Sequence, residues 1–142
     1  MFGDVYLSEN RRGCMLVLYP EKKKTNLKTI WLDLKLAITC IGLTRIGNVL
    51  ERETKIKKYH PKTGIYYLWF IGVKSSEQKK GTGSSLVEYA IKESERQEKD
   101  IYLETSTLPN IHWYQKFGFE IIHELALSYK LFILKRDYKE EK

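Results

Sequence analysis

Two groups of residues in the second half of the chain have the types and spacing needed to bind a phosphorylated ligand and to move a proton. The first is the glycine-rich segment of residues 78–84, which follows the apolar stretch Ile65–Val73 and precedes a helical pattern. The second is the pair Asn110 and Tyr114, four residues apart. Residues with this spacing lie on one face of a helix, so both side chains can reach one ligand. The sequence therefore predicts a phosphate-binding loop and a polar helix face.

The glycine-rich segment is predicted to hold a pyrophosphate through its backbone. The first N–H groups of a helix have no partner within the helix, and the helix dipole favours an anion there. Gly81 and Gly83 suit such a site because a side chain would keep the ligand away from the amides and would not easily adopt a positive φ. A Walker loop is excluded because Ser84 stands where its lysine belongs, and a dinucleotide fingerprint is excluded by Leu86. The alternative is a plain glycine-rich connection into a helix.

Hydrophobic patterns predict the elements that position these residues. We expect a helical region broken near Gly42 or Gly47, a helix after the glycine-rich segment, and a short helix from Pro109 to a turn at Gly118. The helical region covers residues 26–53, and strands are expected at residues 5–8, 14–19, 65–73, 101–106, 119–127 and 129–135. The nearly continuous apolar run of residues 65–73 indicates a strand covered on both faces at the centre of the sheet. Residues 59–64 are expected to form a loop.

Length and composition predict one domain over residues 1–142, with a charged tail over residues 135–142. A chain of 142 residues with 42% hydrophobic and 30% charged residues can bury a core but is too short for two independent cores. No stretch reaches the ~20 apolar residues that span a membrane, and the first residues lack a secretion signal. The two cysteines match neither a metal spacing nor a disulfide framework. We therefore expect a cytoplasmic protein without a metal or a membrane partner.

The net charge of +7 lies entirely in the first 64 residues, which carry 13 Lys/Arg and 6 Asp/Glu. Basic clusters of this kind can attract nucleic acid. The chain lacks the interleaved aromatic residues of a nucleic-acid stacking surface and any recognised nucleic-acid motif. A solvated surface is therefore the preferred interpretation, and nucleic-acid binding is the last of the hypotheses.

Three motifs, taken together over residues 59–135, resemble the acetyl-CoA-binding motifs of the GNAT superfamily of N-acetyltransferases. They are the strand end Ile71-Gly72-Val73, the spacing Gln78-x-x-Gly81-x-Gly83, and Asn110-x-x-x-Tyr114-x-x-x-Gly118-Phe119. The resemblance implies an α/β (α+β) fold with a mixed, mainly antiparallel central sheet flanked by helices. In this chain a helical insertion would precede the central strand.

The resemblance also implies where coenzyme A would bind. The strands of residues 65–73 and 101–106 would splay apart, and the pantetheine arm would lie between them against the backbone of Ile71 and Val73, which would also polarise the thioester carbonyl. Lys79 and Lys80 could add charge near the phosphates, although exposed loop lysines are also commonly just solvated. The implied acetyl-CoA-binding residues are Ile71, Gly72, Val73, Gln78, Lys79, Lys80, Gly81, Thr82, Gly83, Ser84, Asn110 and Tyr114.

The implied reaction is direct attack of a primary amine on acetyl-CoA, and the acceptor would be a small-molecule or peptide amine. Tyr114 would protonate the departing thiolate, the alternative being a half-buried aromatic residue that packs a helix on the sheet. Glu104, which faces opposite to Leu103, is the expected proton acceptor. His60, His112 and a water chain are the rival acceptors.

The start of the chain departs from the usual pattern. GNAT domains usually begin with a strand and two helices that shape the acceptor side of the cleft, whereas this sequence begins almost directly on a hairpin. We expect either that the sequence starts late in a longer protein or that the helical region or a second subunit, as in a homodimer, covers the exposed surface. The alternative function is an acyl-CoA-binding module without catalysis.

Overall fold

The structure, a computed structural model, describes residues 2–22, 46–61 and 64–139, and for residues 46–50 it describes only the backbone. Short 3-10 turns lie at Pro20–Lys22 and Ser75–Glu77. In this part of the chain six strands and three helices follow one another in the order β1 Gly3–Leu7, β2 Gly13–Leu18, α1 Ile46–Tyr59, β3 Ile65–Val73, α2 Thr82–Arg96, β4 Asp100–Thr105, α3 Leu108–Gln115, β5 Glu120–Ala126 and β6 Lys130–Arg136.

The six strands form one mixed sheet in the order β1-β2-β3-β4-β6-β5. Every neighbouring pair is antiparallel except β3 and β4, which are parallel and are connected through α2. A parallel pair needs such a crossover because the chain must return to the same end of the sheet. This arrangement confirms the predicted fold class, and it confirms that the strand of residues 65–73 lies inside the sheet.

Helices cover both faces of the sheet. The larger core lies between the sheet and the two helices α2 and α3, and it includes Val87 of α2 and Ile111 of α3. On the opposite face, Ile56 of α1 packs with Leu131 and Ile133 of β6. Successive residues of a strand face opposite sides of a sheet, which is why β6 contributes Phe132 and Leu134 to the first core and Leu131 and Ile133 to the second.

Two contacts fix the positions of α2 and α3 on the sheet. Gly13 lies so close to α2 that a Cβ atom there would be 3.0 Å from Thr82 Cγ2, so any other residue would have to displace the Thr82 side chain by a few tenths of an ångström. At the other end, the Arg136 guanidinium donates through Nε to the Phe117 carbonyl at 3.0 Å and through Nη2 to Glu95 at 2.9 Å. One side chain of β6 thereby joins α2 to the segment that follows α3.

A β-bulge in β3 changes which residues face the larger core. Leu16 of β2 pairs with Phe70 and Val17 pairs with Leu68, so Trp69 is an extra residue in β3. Tyr66 and Leu68 face the larger core before the bulge, and Ile71 packs against the same core after it. Trp69 is 57% exposed, so the prediction that the whole strand is covered on both faces is wrong.

Several predicted boundaries also shift. Of the predicted helical region, residues 26–45 lie outside the described residues; α1 contains Gly47 and runs to Tyr59, past the predicted end and into the predicted loop. The predicted tail begins too early, because Lys135 and Arg136 belong to β6 and Lys135 Nζ lies 3.0 Å from Asp100 Oδ2. No helix in the described ranges combines the length and the apolar character that crossing a membrane requires.

Replacing Leu103 with alanine should test the larger core. Leu103 lies on β4, is 2% exposed and packs under α2 and α3, so Leu103→Ala should lower the free energy of unfolding by about 2–5 kcal/mol. Leu108→Ala is the matched control, because Leu108 is 60% exposed and the change should be within about 0.5 kcal/mol. Urea unfolding of both variants measures the difference, and equal costs would contradict this packing.

Candidate active site

The strands β3 and β4 pair over only a short stretch and then diverge. Their register pairs run from Ile65 with Asp100 to Tyr67 with Tyr102 and stop there, whereas β3 continues to Val73 and β4 to Thr105. Beyond this point β3 stays paired with β2, and β4 stays paired with β6. The predicted opening between the two strands is therefore present, at their carboxyl ends, where α/β sheets commonly bind ligands.

A cavity of about 490 Å³ lies at this opening, on the face that carries α2 and α3. Nine of the twelve residues predicted to bind acetyl-CoA line it, together with Trp113. The lining residues are Ile71, Val73, Gln78, Lys79, Gly81, Gly83, Ser84, Asn110, Trp113 and Tyr114. The structure thus brings the three sequence motifs to one place, and α3 is the element that completes it.

Three of the predicted residues do not line this cavity. Gly72 alternates to the other face of β3, where a Cβ atom would lie 2.9 Å from the Phe70 ring. The Thr82 side chain is buried and packs toward Gly13. Lys80 Nζ lies 3.4 Å from Glu77 Oε1. Thr82 contributes to this end of α2 through its backbone, because it is the first residue of the helix.

The first turn of α2 leaves backbone N–H groups without helical acceptors. The first helical hydrogen bond is donated by the Ser85 N–H to the Gly81 carbonyl at 2.9 Å, and no side chain caps this end of the helix. The N–H groups of residues 82–84 therefore precede the first helical bond, and their partial positive charge favours an anion. This end of α2 has the backbone features predicted for the glycine-rich segment.

The two glycines of the segment serve different physical needs. Gly81 has a φ of 86° and open space around its Cβ position, so its backbone conformation requires glycine. Gly83 lies inside α2, and its φ is not among the positive values, contrary to the expectation from the sequence. A Cβ atom at Gly83 would lie 3.4 Å from Trp113 Cζ2, so glycine there keeps the cavity open. Lys79, which the sequence reasoning did not single out for its backbone, also has a positive φ, 62°.

Helix α3 places the Tyr114 phenol at the cavity in an apolar environment. Its ring packs against Phe119 at a centroid distance of 5.4 Å, and the residue is 5% exposed. Burial raises the pKa of Tyr114 to about 12, because the charged phenolate is poorly solvated there. The phenol is therefore neutral at physiological pH and can donate a proton. Asn110, one turn earlier, is exposed and lines the same cavity.

Trp113 is the lining residue that the sequence reasoning missed. Its ring borders Gly83 and contacts Phe117 at a centroid distance of 5.5 Å. The signal was available, because Trp113 follows Asn110 by three residues and such residues share a helix face.

The structure separates the candidate proton acceptors. Glu104 lies on β4 with its side chain on the α1 face, opposite to the cavity, and its Oε1 is 2.7 Å from Nε2 of His60. Both side chains are 8% exposed. Glu104 Oε2 accepts a hydrogen bond of 2.6 Å from the Tyr67 hydroxyl. His112 is exposed on α3, so two of the three side chains proposed as acceptors meet each other and the third stays apart.

Within the described ranges, no group of three or more His, Cys, Asp or Glu residues is placed to hold a metal ion.

The burial of Tyr114 predicts a late titration of its phenol. At pH 10.5 an ordinary tyrosine is roughly three-quarters ionised, whereas a phenol of pKa about 12 is about 3% ionised. The tyrosinate absorbance of the wild type minus that of Tyr114→Phe should therefore be close to zero at this pH, with circular dichroism confirming that both remain folded. Tyr89→Phe, at a 47% exposed tyrosine, is the matched control for the change of a tyrosine to phenylalanine. A difference signal for Tyr114→Phe of the size expected for three-quarters ionisation would contradict the burial.

Comparison with known proteins agrees with this arrangement. A family model described as Acetyltransferase (GNAT) domain matches residues 30–121, more than half of the chain. The structure of a protein from Corynebacterium glutamicum, described as histone acetyltransferase HPA2 and related acetyltransferase, matches 100% of this chain and 68% of its own length, with 15% identity and a TM-score of 0.61. A Bacillus subtilis acetyltransferase solved in complex with CoA matches over 97% of this chain and 78% of its own length, with 17% identity and a TM-score of 0.58.

The coverage differs among the solved structures. Ard1 from Thermoplasma volcanium, with 23% identity and a TM-score of 0.48, matches 53% of this chain, and the match spans only 55% of the length of Ard1. At these identities the solved structures show a shared fold, and the family model shows the family. The chain belongs to the GNAT acetyltransferase family.

Proposed function

We propose that the protein transfers the acetyl group of acetyl-CoA to a primary amine. The observation that carries the proposal is the cavity at the opening between β3 and β4, where the free amides of α2 and the neutral Tyr114 phenol lie together. GNAT acetyltransferases use acetyl-CoA as the acyl donor, and the related Bacillus subtilis structure is a complex with CoA. Acetyl-CoA supplies an activated acetyl thioester.

The residues present fit the parts of acetyl-CoA. The amides of residues 82–84 would bind the diphosphate, with Lys79 and Lys80 nearby and exposed. Beyond Tyr67 the edge of β3 that faces the opening has lost β4 as a partner, so its backbone groups at Ile71 and Val73 would be available to the pantetheine amides. The Val73 carbonyl accepts a long hydrogen bond of 3.5 Å from Gln78 Nε2, which the ligand would replace. Asn110 would bind the same arm from α3. The missing Cβ of Gly83 leaves the space that the arm needs.

Tyr114 would act as the proton donor to the leaving thiol. Its side chain lines the cavity. Burial alone raises the pKa of the phenol, so the phenol is neutral at physiological pH. The same burial leaves a thiolate beside it poorly solvated and therefore more basic than in water, so the neutral phenol can share its proton with the departing sulfur. Glu104 would belong to the proton acceptor through its contact with His60, and both lie on the opposite face of the sheet from Tyr114.

Filling the space at Gly83 should weaken acetyl-CoA binding. Gly83→Val would place a branched side chain between Trp113 and Val73, so the dissociation constant measured by calorimetry should rise by about tenfold or more, equal to about 1.4 kcal/mol. Glu88→Val is the matched control, since it puts the same side chain on the exposed side of α2 and should leave binding unchanged. The wild type should bind acetyl-CoA saturably. Absence of such binding would contradict the proposed function.

Removing the Tyr114 hydroxyl should slow the reaction without weakening donor binding. Tyr114→Phe should lower kcat by about 100-fold, the scale of one acid catalyst, while the dissociation constant of acetyl-CoA stays near the wild-type value. CoA release with a panel of primary amines measures the rate, and Tyr89→Phe is the control. Equal rates for the wild type and Tyr114→Phe would contradict the role of the phenol. Binding without CoA release for any amine would instead identify a non-catalytic acyl-CoA-binding module.

A further inference from the structure

A second cavity, of about 450 Å³, lies on the α1 face of the sheet, and this size suits a small organic ligand. It is bounded by the start of the chain, the end of β2, α1 and β3. Its lining includes apolar side chains from all these elements, namely Phe2, Leu18, Pro20, Ile56 and Trp69. Its polar lining residues are Glu53, Lys57, His60 and Tyr67.

The second cavity meets β3 where the strand leaves β4. Tyr67 is the last residue of β3 that is in register with β4, and Trp69 is the bulged residue that follows it. Both line the second cavity, whereas Ile71 and Val73 line the cavity of about 490 Å³ on the other face of the sheet. The two cavities therefore approach the same opening from opposite faces of the sheet.

A buried polar cluster lies at the wall of the second cavity. His60 Nε2 and Glu104 Oε1 are 2.7 Å apart, although the ring N–H is not aligned on the oxygen as in a straight hydrogen bond. Neither atom has another hydrogen-bond partner within the described part of the chain. Two buried lone pairs at this distance would repel each other, so a proton must lie on one of the two groups.

Tyr67 holds the other oxygen of Glu104. Burial, followed by the nearby Glu104 carboxylate, raises the pKa of the Tyr67 phenol, so the hydroxyl stays protonated and donates. His60 also packs edge-on against the rings of Tyr67 and Tyr102, at centroid distances of 5.0 Å and 5.2 Å. The ring is therefore held on three sides.

His60 and Tyr67 reach the second cavity, whereas Glu104 does not. His60 lines the second cavity, whereas Glu104 lines neither cavity. With Nε2 directed at Glu104, the basic nitrogen of the neutral imidazole is Nδ1. Among the described residues, the charged and titratable groups around this cluster include Arg52, Glu53 and Lys57 on α1, Tyr67 on β3, and Tyr102 and Glu104 on β4.

We propose that the second cavity binds the acceptor, a primary amine on an apolar or aromatic body, and that His60 takes the amine proton while Glu104 and Tyr67 position its ring. This inference rests on the proposed function. In the step, the ammonium nitrogen loses one proton to Nδ1 of His60, which then passes it to water, and no other bond changes. The neutral amine produced in this way has the lone pair that attack on a thioester requires.

The lining argues for an apolar body over a polycation. Six of the described lining side chains are apolar, since Pro61 also lines the cavity, and aromatic or aliphatic contacts are the main source of affinity in such cavities. Among the described lining residues the charged side chains are Glu53 and Lys57, whose Oε2 and Nζ atoms lie 3.7 Å apart and which are both more than half exposed at the rim. Their opposite charges offset each other, so these two side chains provide no excess negative charge for a second ammonium group.

Two amines, 2-phenylethylamine and spermidine, test the class of acceptor. CoA release should show a kcat/KM about tenfold or more higher for 2-phenylethylamine, because a second ammonium group would lose its hydration in an apolar cavity. Trp69→Ala should raise the KM for 2-phenylethylamine by about tenfold, with acetyl-CoA binding unchanged. Phe70→Ala is the matched control, because Phe70 is also an exposed ring of β3 but does not line the cavity. A preference for spermidine, or no effect of Trp69→Ala, would overturn the assignment of the cavity.

The pH dependence of kcat/KM tests the role of His60. His60→Gln should lower kcat by about 100-fold and remove the rise of the rate with pH that a free Nδ1 produces. Glu104→Gln removes the charge that favours imidazolium, so the rise should move to lower pH. Tyr67→Phe removes a hydrogen bond that stabilises the carboxylate, so the pair should hold its proton more tightly and the rise should move to higher pH.

The controls separate this inference from the proposed function. His112→Gln changes an exposed histidine and should leave the profile unchanged. If the wild type does not bind acetyl-CoA, the proposed function fails. If it binds acetyl-CoA and releases CoA, but Tyr67→Phe and Glu104→Gln do not shift the profile in opposite directions, only the role of the cluster is overturned. Tyr67→Phe removes a single oxygen atom and so perturbs the fold little. Its pH profile therefore tests the role of the cluster even if His60→Gln lowers the stability of the protein.

Discussion

The separation of β3 and β4 is the constraint on which the rest of the site depends. Beyond Tyr67 and Tyr102 each strand keeps its outer partner, β3 with β2 and β4 with β6, while the pairing between β3 and β4 stops. Backbone groups along the opening lose their ladder partners there, and such groups are costly to bury without new ones. The backbone at this opening is therefore suited to binding an extended ligand.

The bulge at Trp69 decides what each face of β3 offers to this slot. Without an extra residue, the alternation of Tyr66 and Leu68 would carry Phe70 and Gly72 toward α2 and α3. With it, Ile71 and Val73 reach that face, next to the free amides of α2, while Tyr67 and Trp69 face α1. The same residue therefore decides which side chains of β3 line the cavity on the α2 and α3 face and which line the second cavity on the α1 face.

The polar cluster on the α1 face shows how a buried carboxylate is accommodated. Glu104 receives the Tyr67 hydroxyl on one oxygen and approaches His60 with the other, which offsets the cost of removing a charge from water. Such mutual dependence fixes the orientation of the histidine ring, because rotating it would leave the carboxylate unpaired. In the reaction proposed above, the same pair of side chains would also accept the amine proton.

The sequence by itself determined the order and type of most elements, because periodicity and turn residues act locally; β3 was predicted at its observed bounds. Spacing alone placed Asn110 and Tyr114 on one helix face, whereas the grouping of this pair with residues 78–84 came from the resemblance to GNAT motifs. The bulge at Trp69, the entry of Trp113 into the site and the helical backbone at Gly83 were not predicted. Only the tertiary structure decided these features and the meeting of His60 with Glu104, because they depend on strand registers and helix positions that arise between segments distant in the chain.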